Sequence, residues 1–131
     1  MSAFCIRIDS PSPAEVMNRQ LLRKLRLKMH WDGATAPSVD VPLGDFFCNP
    51  FYFRDFSSLP LGRVDGAYIC RFPMPYQNGA RCELVNHSEH PVVVSMGASG
   101  NIEHPEGLSR TFHAAWAASD RSGYQIGRAH V

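Results

Sequence analysis

The stretch Leu25-Arg26-Leu27-Lys28-Met29-His30-Trp31 alternates strictly between apolar and polar side chains. Alternation with a period of two is typical of a β-strand that buries one face. The four apolar side chains are therefore predicted to lie on the buried face, and the three polar ones on the other. Asp32-Gly33 follows directly and is typical of a tight turn. This segment predicts one strand of a sheet that covers an apolar core.

The rest of the chain has the same character, because short apolar runs alternate with turn-forming residues. The 131 residues include ten glycines and ten prolines, spread along the whole length. Such spacing is typical of an all-β sandwich or roll. Further strands are predicted at 3–8, 67–72, 80–86, 92–96 and 110–116.

Two segments are predicted to lie outside the strands. One short helix is predicted over Pro13–Leu22, because Ser12 is a suitable N-cap and Glu15 stands three residues after it. Residues 36–60 are predicted as proline-punctuated, aromatic-rich loops, and loops of that length tend to be functional. The predicted fold is mainly β, a jelly-roll-like antiparallel sandwich with one short helix.

The domain organisation follows from length and from the last residues. A chain of 131 residues is long enough for one domain. Residues 126–131, Ile-Gly-Arg-Ala-His-Val, match one reading frame of a common sequencing-adapter oligonucleotide, which predicts a non-native tail. We therefore expect residues 1–125 to form one domain.

Composition and charge argue against several classes of partner. Thirteen basic and twelve acidic residues give a net charge of +1, which does not indicate a nucleic-acid-binding surface. Apolar runs fall short of the roughly 20 residues that a membrane span needs. The four cysteines form no CxxC pair and are too scattered for a disulfide scaffold. Thiols in a reducing compartment, with a cytoplasmic location favoured, are the expectation.

Common catalytic and cofactor motifs do not occur in the sequence. HExxH and paired CxxC are missing, and so are GxSxG, GxGxxG and GxxxxGK[ST]. His87 and His90 stand in a predicted loop before Pro91, where histidines are more often turn residues than metal ligands. The sequence therefore predicts no metal and no cofactor within these 131 positions.

A sugar-binding pattern does occur, at Trp31-Asp32-Gly33 and again at Asp45-Phe46-Phe47. Aromatic rings stack on the apolar face of a sugar, while carboxylates accept hydrogen bonds from its hydroxyl groups. Trp31, Asp32, Asp45 and Phe46 are predicted to bind substrate, with Phe47 supporting the wall. The alternative is that Trp31 belongs to the core and that Asp32 and Asp45 are turn residues.

These residues resemble the domain of unknown function 2961, now classed as glycoside hydrolase family 172. The resemblance is carried by Trp31-Asp32-Gly33, by Pro37-Ser38-Val39-Asp40-Val41-Pro42-Leu43-Gly44-Asp45-Phe46-Phe47 and by Phe72-Pro73-Met74-Pro75-Tyr76. It continues to Phe112-His113-Ala114-Ala115-Trp116. Two positions depart from the family pattern. Ala34 stands where a glutamate is expected. Cys48 replaces a usual glycine, and this replacement puts the turn after Phe47 in question.

The resemblance implies double jelly-roll proteins, usually homotrimers or assemblies of trimers. Such proteins release α-D-fructofuranosyl or D-arabinofuranosyl units by a retaining mechanism with two glutamates. Those glutamates stand in segments resembling Gly-Thr-Gly-Thr-Glu-Asp-Tyr-Phe and Gly-Glu-Gly-Asp, and neither segment occurs in this sequence. The resemblance therefore implies that residues 1–125 are a partial N-terminal jelly-roll region of a furanoside-acting hydrolase, with no catalytic residue among the 131 positions and no activity alone. The alternative is a non-catalytic jelly-roll module for glycan binding or oligomer assembly.

Overall fold

The computed structural model describes residues 1–9, 21–49, 54–100 and 110–117. Within these ranges the chain forms nine strands and two short helices. The strands are β1 (Ala3–Asp9), β2 (Leu25–Trp31), β3 (Val39–Pro42), β4 (Phe56–Ser57), β5 (Leu61–Val64), β6 (Ala67–Cys70), β7 (Ala80–Asn86), β8 (Val93–Ser99) and β9 (Ala114–Ala115). The helices are α1 (Leu21–Lys24) and α2 (Leu43–Phe46).

The strands form two sheets with the core between them. One sheet has the order β4-β5-β6-β1-β8, and the other has the order β7-β2-β3-β9. Pairing is antiparallel except between β3 and β9. Side chains from both sheets, including Phe4, Ile6, Leu27, Met29 and Tyr68, belong to one buried cluster. The predicted mainly β sandwich class is confirmed.

The alternating stretch forms β2, as predicted. Its apolar side chains are buried, and Arg26 and Lys28 are half-buried on the opposite face. His30 shares that outer face but is itself buried, which the alternation did not predict. The reason is local: the turn after the strand folds back over the ring, and Nδ1 of His30 lies 3.0 Å from the carbonyl oxygen of Ala34.

The region predicted as loops contains regular structure. Residues 36–60 include β3, α2 and β4, and β5 follows at Leu61–Val64. β3 pairs with β2 in the register Lys28 opposite Asp40, so the neighbouring strand stabilises a run too short to be recognised from sequence. The last predicted strand is reduced to Ala114–Ala115.

Two other predictions fall largely outside the described ranges. The helix predicted over Pro13–Leu22 overlaps the described residues only at Leu21 and Leu22, which begin α1. α2 is a second helix that the sequence did not predict. The tail at 126–131 also lies outside the described residues.

Candidate functional site: an aromatic cleft

A sharp turn follows two adjacent phenylalanines, Phe46 at the end of α2 and Phe47 directly after it. The helix ends through bonds from Phe47 N to Leu43 O (3.2 Å) and from Asn49 N to Gly44 O (2.7 Å). Cys48 adopts the left-handed conformation with φ 56°, which is the glycine-favouring position that commonly ends a helix. The chain turns here even though the residue is a cysteine.

Phe47 points into the core. It is fully buried, and its ring lies 5.0 Å from the ring of Tyr68. Phe47 is therefore a core residue, and the proposal that it supports the wall of a binding site stays a prediction. Phe46 is half-buried. Its ring meets that of Phe47 edge to face, with 4.9 Å between the centroids, and lies 6.2 Å from the ring of Phe112.

Phe46 lines a cleft of about 280 Å³ at the β3–β9 edge of the second sheet. Phe112 forms its centre, because its ring also lies 5.5 Å from the ring of Phe72. Phe72 and Trp116 remain 36% and 39% exposed, so their rings are accessible from solvent. The lining consists of Val41, Asp45, Phe46, Phe72, Phe112, Ala114, Ala115 and Trp116.

Asp45 is the one carboxylate among the described residues that line the cleft. It is half-buried, and within the described part of the chain its carboxylate takes part in no hydrogen bond or ion pair. Nearby Asp40 differs, because Arg26 binds it. A half-buried carboxylate beside aromatic rings is available to accept hydrogen bonds from a ligand.

Trp31 lies behind the cleft and is 3% exposed. Its indole Nε1 donates a hydrogen bond of 2.8 Å to the carbonyl oxygen of Phe112. Its ring is stacked parallel to that of Tyr76, with 6.2 Å between the centroids. Trp31 therefore holds the backbone of Phe112 in place, and its own ring faces the protein interior.

Asp32 lies in the turn after β2, with φ 54°. Its Oδ1 accepts hydrogen bonds from the backbone N–H groups of Gln77 (2.8 Å) and Asn78 (2.6 Å). These bonds, first that from Asn78, lower the pKa of Asp32, because they stabilise the charged form. The backbone N–H of Asp32 also donates to Gly79 O. Asp32 thus ties the turn to the 77–79 segment.

The structure therefore divides the four predicted substrate-binding residues into two pairs. Asp45 and Phe46 line the cleft, whereas Trp31 binds the backbone of Phe112 and Asp32 binds the 77–79 segment. Phe72, Phe112 and Trp116 were not predicted as site residues. Their approach to Phe46 depends on the packing of β9 beside β3, and no local sequence pattern signals that pairing.

Other chemistry is limited within the described ranges. They contain no group of three or more His, Cys, Asp or Glu side chains arranged to hold a metal ion. They also contain no helix long and apolar enough to cross a bilayer. All four cysteines are free thiols, and burial raises the pKa of Cys70 and of Cys82. None of these cysteines lines the aromatic cleft.

Comparison with known proteins adds a family assignment. A search of curated proteins finds no match to the chain. A scan against protein families matches the GH172 domain-like family over residues 4–96, which is more than half of the chain. The matched range contains Asp45, Phe46 and Phe72, whereas Phe112 and Trp116 lie beyond it. The chain belongs to the GH172 domain-like family of glycoside hydrolases.

Proposed function

We propose that this chain is the N-terminal jelly-roll part, residues 1–125, of a retaining glycoside hydrolase acting on α-D-furanosides. The substrates are fructofuranosyl or D-arabinofuranosyl units. Membership of the GH172 domain-like family supports glycoside hydrolysis in general. The observation that carries the finer proposal is the aromatic cleft with Asp45 in its lining.

The chemistry of the cleft suits a sugar ring. One face of a sugar presents C–H groups that pack on aromatic rings, and its hydroxyl groups donate to carboxylates. Phe46, Phe72 and Phe112 supply the rings, and Asp45 supplies the acceptor. Small-molecule sites occupy about 300–1,000 Å³, so a cleft of about 280 Å³ favours a single small ring over an extended chain.

In this proposal Asp45 and Phe46 contact the substrate. Trp31 and Asp32 have a supporting role. Trp31 fixes the backbone of Phe112, and Asp32 fixes the 77–79 segment. Such support keeps the contact groups in one geometry, which lowers the entropy lost when a ligand binds. The site needs no cofactor for this recognition.

The catalytic glutamates are proposed to lie outside residues 1–131. A retaining mechanism needs two carboxyl groups about 5–5.5 Å apart. The described lining of the cleft supplies Asp45 alone. Of the glutamates, Glu83 pairs with Arg81 on β7, away from the cleft. A second segment of the protein would supply the two catalytic carboxyl groups.

We also infer that the complete protein is a homotrimer or a multiple of trimers. β7 and β8 each end their sheet and are seven residues long, which leaves long strand edges. Val93 and Met96 on β8 are 60% and 40% exposed. Open edges and exposed apolar side chains favour burial against another chain. Size-exclusion chromatography with light scattering tests the oligomeric state.

A hydrolysis assay tests the proposed function. The purified 131-residue chain is expected to release no aryl alcohol from aryl α-D-arabinofuranosides and to leave difructose dianhydrides intact. The protein encoded by the complete gene is expected to contain both glutamate segments and to turn these substrates over. Turnover by the 131-residue chain that Asp45→Asn abolishes would contradict the proposal.

The alternative is a non-catalytic module that binds glycan or builds an oligomer. The cleft supports a non-catalytic module as well as it supports a hydrolase, because aromatic rings and one carboxylate can bind a sugar without catalysing a reaction. A complete protein that lacks both glutamate segments, binds furanosides and hydrolyses none of them would establish this alternative.

A further inference from the structure

Trp116 stands at the open side of the cleft, directly after β9. It is 39% exposed, and the guanidinium carbon of Arg26 lies 6.0 Å from its ring centroid. Cation–π attraction extends to about 6 Å between the cation and the ring centroid. One side of the indole is therefore in contact with the protein, while part of the ring remains available to a ligand.

Arg26 is in turn held by a carboxylate. Its Nε donates a hydrogen bond to Oδ1 of Asp40, and its Nη2 donates a hydrogen bond of 3.2 Å to the carbonyl oxygen of Asp40. Arg26 projects from β2 and Asp40 from the adjacent β3. Since both residues project from paired strands, the guanidinium has a defined position beside the indole.

We propose that Trp116 is the platform on which a furanose ring stacks, and that the Arg26–Asp40 pair is the positioning unit that fixes the indole. The inference rests on the proposed furanoside function and names the contact residue for it. It goes beyond the family match, because Trp116 lies outside residues 4–96. Nothing in the sequence pattern around Trp116 identifies this role.

The physical reason is preorganisation. A surface tryptophan that samples several rotamers loses side-chain entropy when a ligand binds, whereas an indole already held by Arg26 loses less. The ring also has the right neighbours, because Phe112 and Asp45 line the same cleft. A sugar stacked on Trp116 would therefore have its hydroxyl groups within a site that also contains a carboxylate.

The molecule contains a matched control. Arg63 binds Asp55 at 2.7 Å and lies 5.3 Å from the ring centroid of Tyr68. That ring is 1% exposed, so no ligand reaches it. Arg63→Gln therefore removes an arginine of the same surroundings without changing the cleft, and Arg26→Gln removes the one beside Trp116.

The test is a titration of the 131-residue chain with methyl α-D-arabinofuranoside, with methyl α-D-glucopyranoside as the comparison ligand. Calorimetry measures the affinity for the sugar. Tryptophan fluorescence reports on Trp116, because the other tryptophan, Trp31, is buried. We expect the furanoside to change the emission and to protect Trp116 from acrylamide quenching. Trp116→Ala should weaken binding at least tenfold, and Trp116→Phe should weaken it less.

The arginine variants test the positioning unit. Arg26→Gln should weaken furanoside binding about threefold, Arg26→Lys should restore part of the loss, and Arg63→Gln should leave the affinity unchanged. Equal effects of Arg26→Gln and Arg63→Gln would overturn the positioning role. If Trp116→Ala binds as tightly as the parent chain, the platform is refuted while the proposed function stands.

Two further results have equally clear meanings. If the folded parent chain binds no furanoside, both the platform and the proposed sugar site are contradicted. If Trp116→Ala does not fold, the quenching measurement on the parent chain decides. Protection of Trp116 by the furanoside, without protection by the glucopyranoside, supports the platform, and quenching that the furanoside does not alter overturns it.

Discussion

Two regions of the molecule place an arginine between a carboxylate and an aromatic ring. In one, Arg63 lies between Asp55 and the buried ring of Tyr68. In the other, Arg26 lies between Asp40 and the partly exposed ring of Trp116. The charge chemistry is the same, so the exposure of the ring distinguishes a structural unit from a candidate binding surface.

The position of each ring in the sandwich explains the difference. Tyr68 lies on β6, inside the five-stranded sheet, and packs against Phe47 in the core. Trp116 follows β9, a two-residue strand that ends the other sheet. β6 has a neighbouring strand on each side, so Tyr68 is enclosed. β9 has a neighbouring strand on one side only, and the side chain that follows it, Trp116, lies beside the cleft.

The largest expected effect separates the two adjacent phenylalanines. Phe47→Ala should lower the free energy of unfolding by about 3–5 kcal/mol, because it leaves a cavity beside Tyr68 in the core. Phe46→Ala should cost only about 1 kcal/mol in stability, since the side chain is half-buried, but should weaken furanoside binding. Urea unfolding and calorimetry measure the two effects. Equal stability losses would remove the distinction between core and cleft.

The next effect is alkaline destabilisation through Tyr68. Burial raises the pKa of Tyr68 from its ordinary value of 10.0 to about 12. The folded state therefore keeps a proton that the unfolded chain releases, so stability falls as pH rises from 10 toward 12. The loss is about 1.4 kcal/mol per pH unit in that window. Tyr68→Phe should remove this dependence, and a Tyr68→Phe profile with the same slope would contradict the assignment.

A smaller effect is expected at the turn that follows Phe46 and Phe47. Cys48→Gly should raise the free energy of unfolding by about 1 kcal/mol, because the left-handed conformation at φ 56° is strained for cysteine and not for glycine. Cys5→Ser, on an exposed strand position, is the control for loss of a thiol. Destabilisation by Cys48→Gly would show that the thiol itself has a packing role.

The smallest effect concerns Asp32, which is exposed. Its lowered pKa means that its stabilising contribution is present above the unfolded-state pKa and is lost as pH falls through the folded-state pKa. Asp32→Asn should therefore be slightly less stable than the parent at pH 7, and the difference should shrink as pH falls below 3.8. Asp45→Asn is the matched change at the cleft, and it should lower sugar affinity. Urea midpoints at both pH values provide the measurement.

The sequence predicted the elements whose pattern is local. The seven-residue alternation at Leu25–Trp31 identified β2 and its buried face, and Asp32-Gly33 identified the turn. β3 and α2 were missed, because each is four residues long and is stabilised by its neighbours. The burial of His30 was also missed, since it depends on the turn that covers the ring.

The residues of the cleft also divide into those that a local sequence pattern indicated and those that tertiary packing brings together. Asp45 and Phe46, which line the cleft, were predicted as site residues because a carboxylate and aromatic residues adjoin there in sequence. Phe72, Phe112 and Trp116 reach Phe46 only through tertiary packing, so composition could not select them. The sequence did not show that Phe47 is the buried one of the two phenylalanines, because neighbouring identical residues carry no information on which one belongs to the core.

Amide chemical-shift mapping is the most direct test of whether the cleft binds a furanoside. Adding methyl α-D-arabinofuranoside to the ¹⁵N-labelled chain should shift amides of Asp45, Phe46, Phe72 and Trp116, and Asp45→Asn should reduce those shifts. A second concavity of about 330 Å³, lined by Phe4, Cys5, Ile69 and their neighbours, serves as the internal comparison. Shifts confined to that concavity, or no shifts at all in the folded chain, would contradict the cleft as the sugar site.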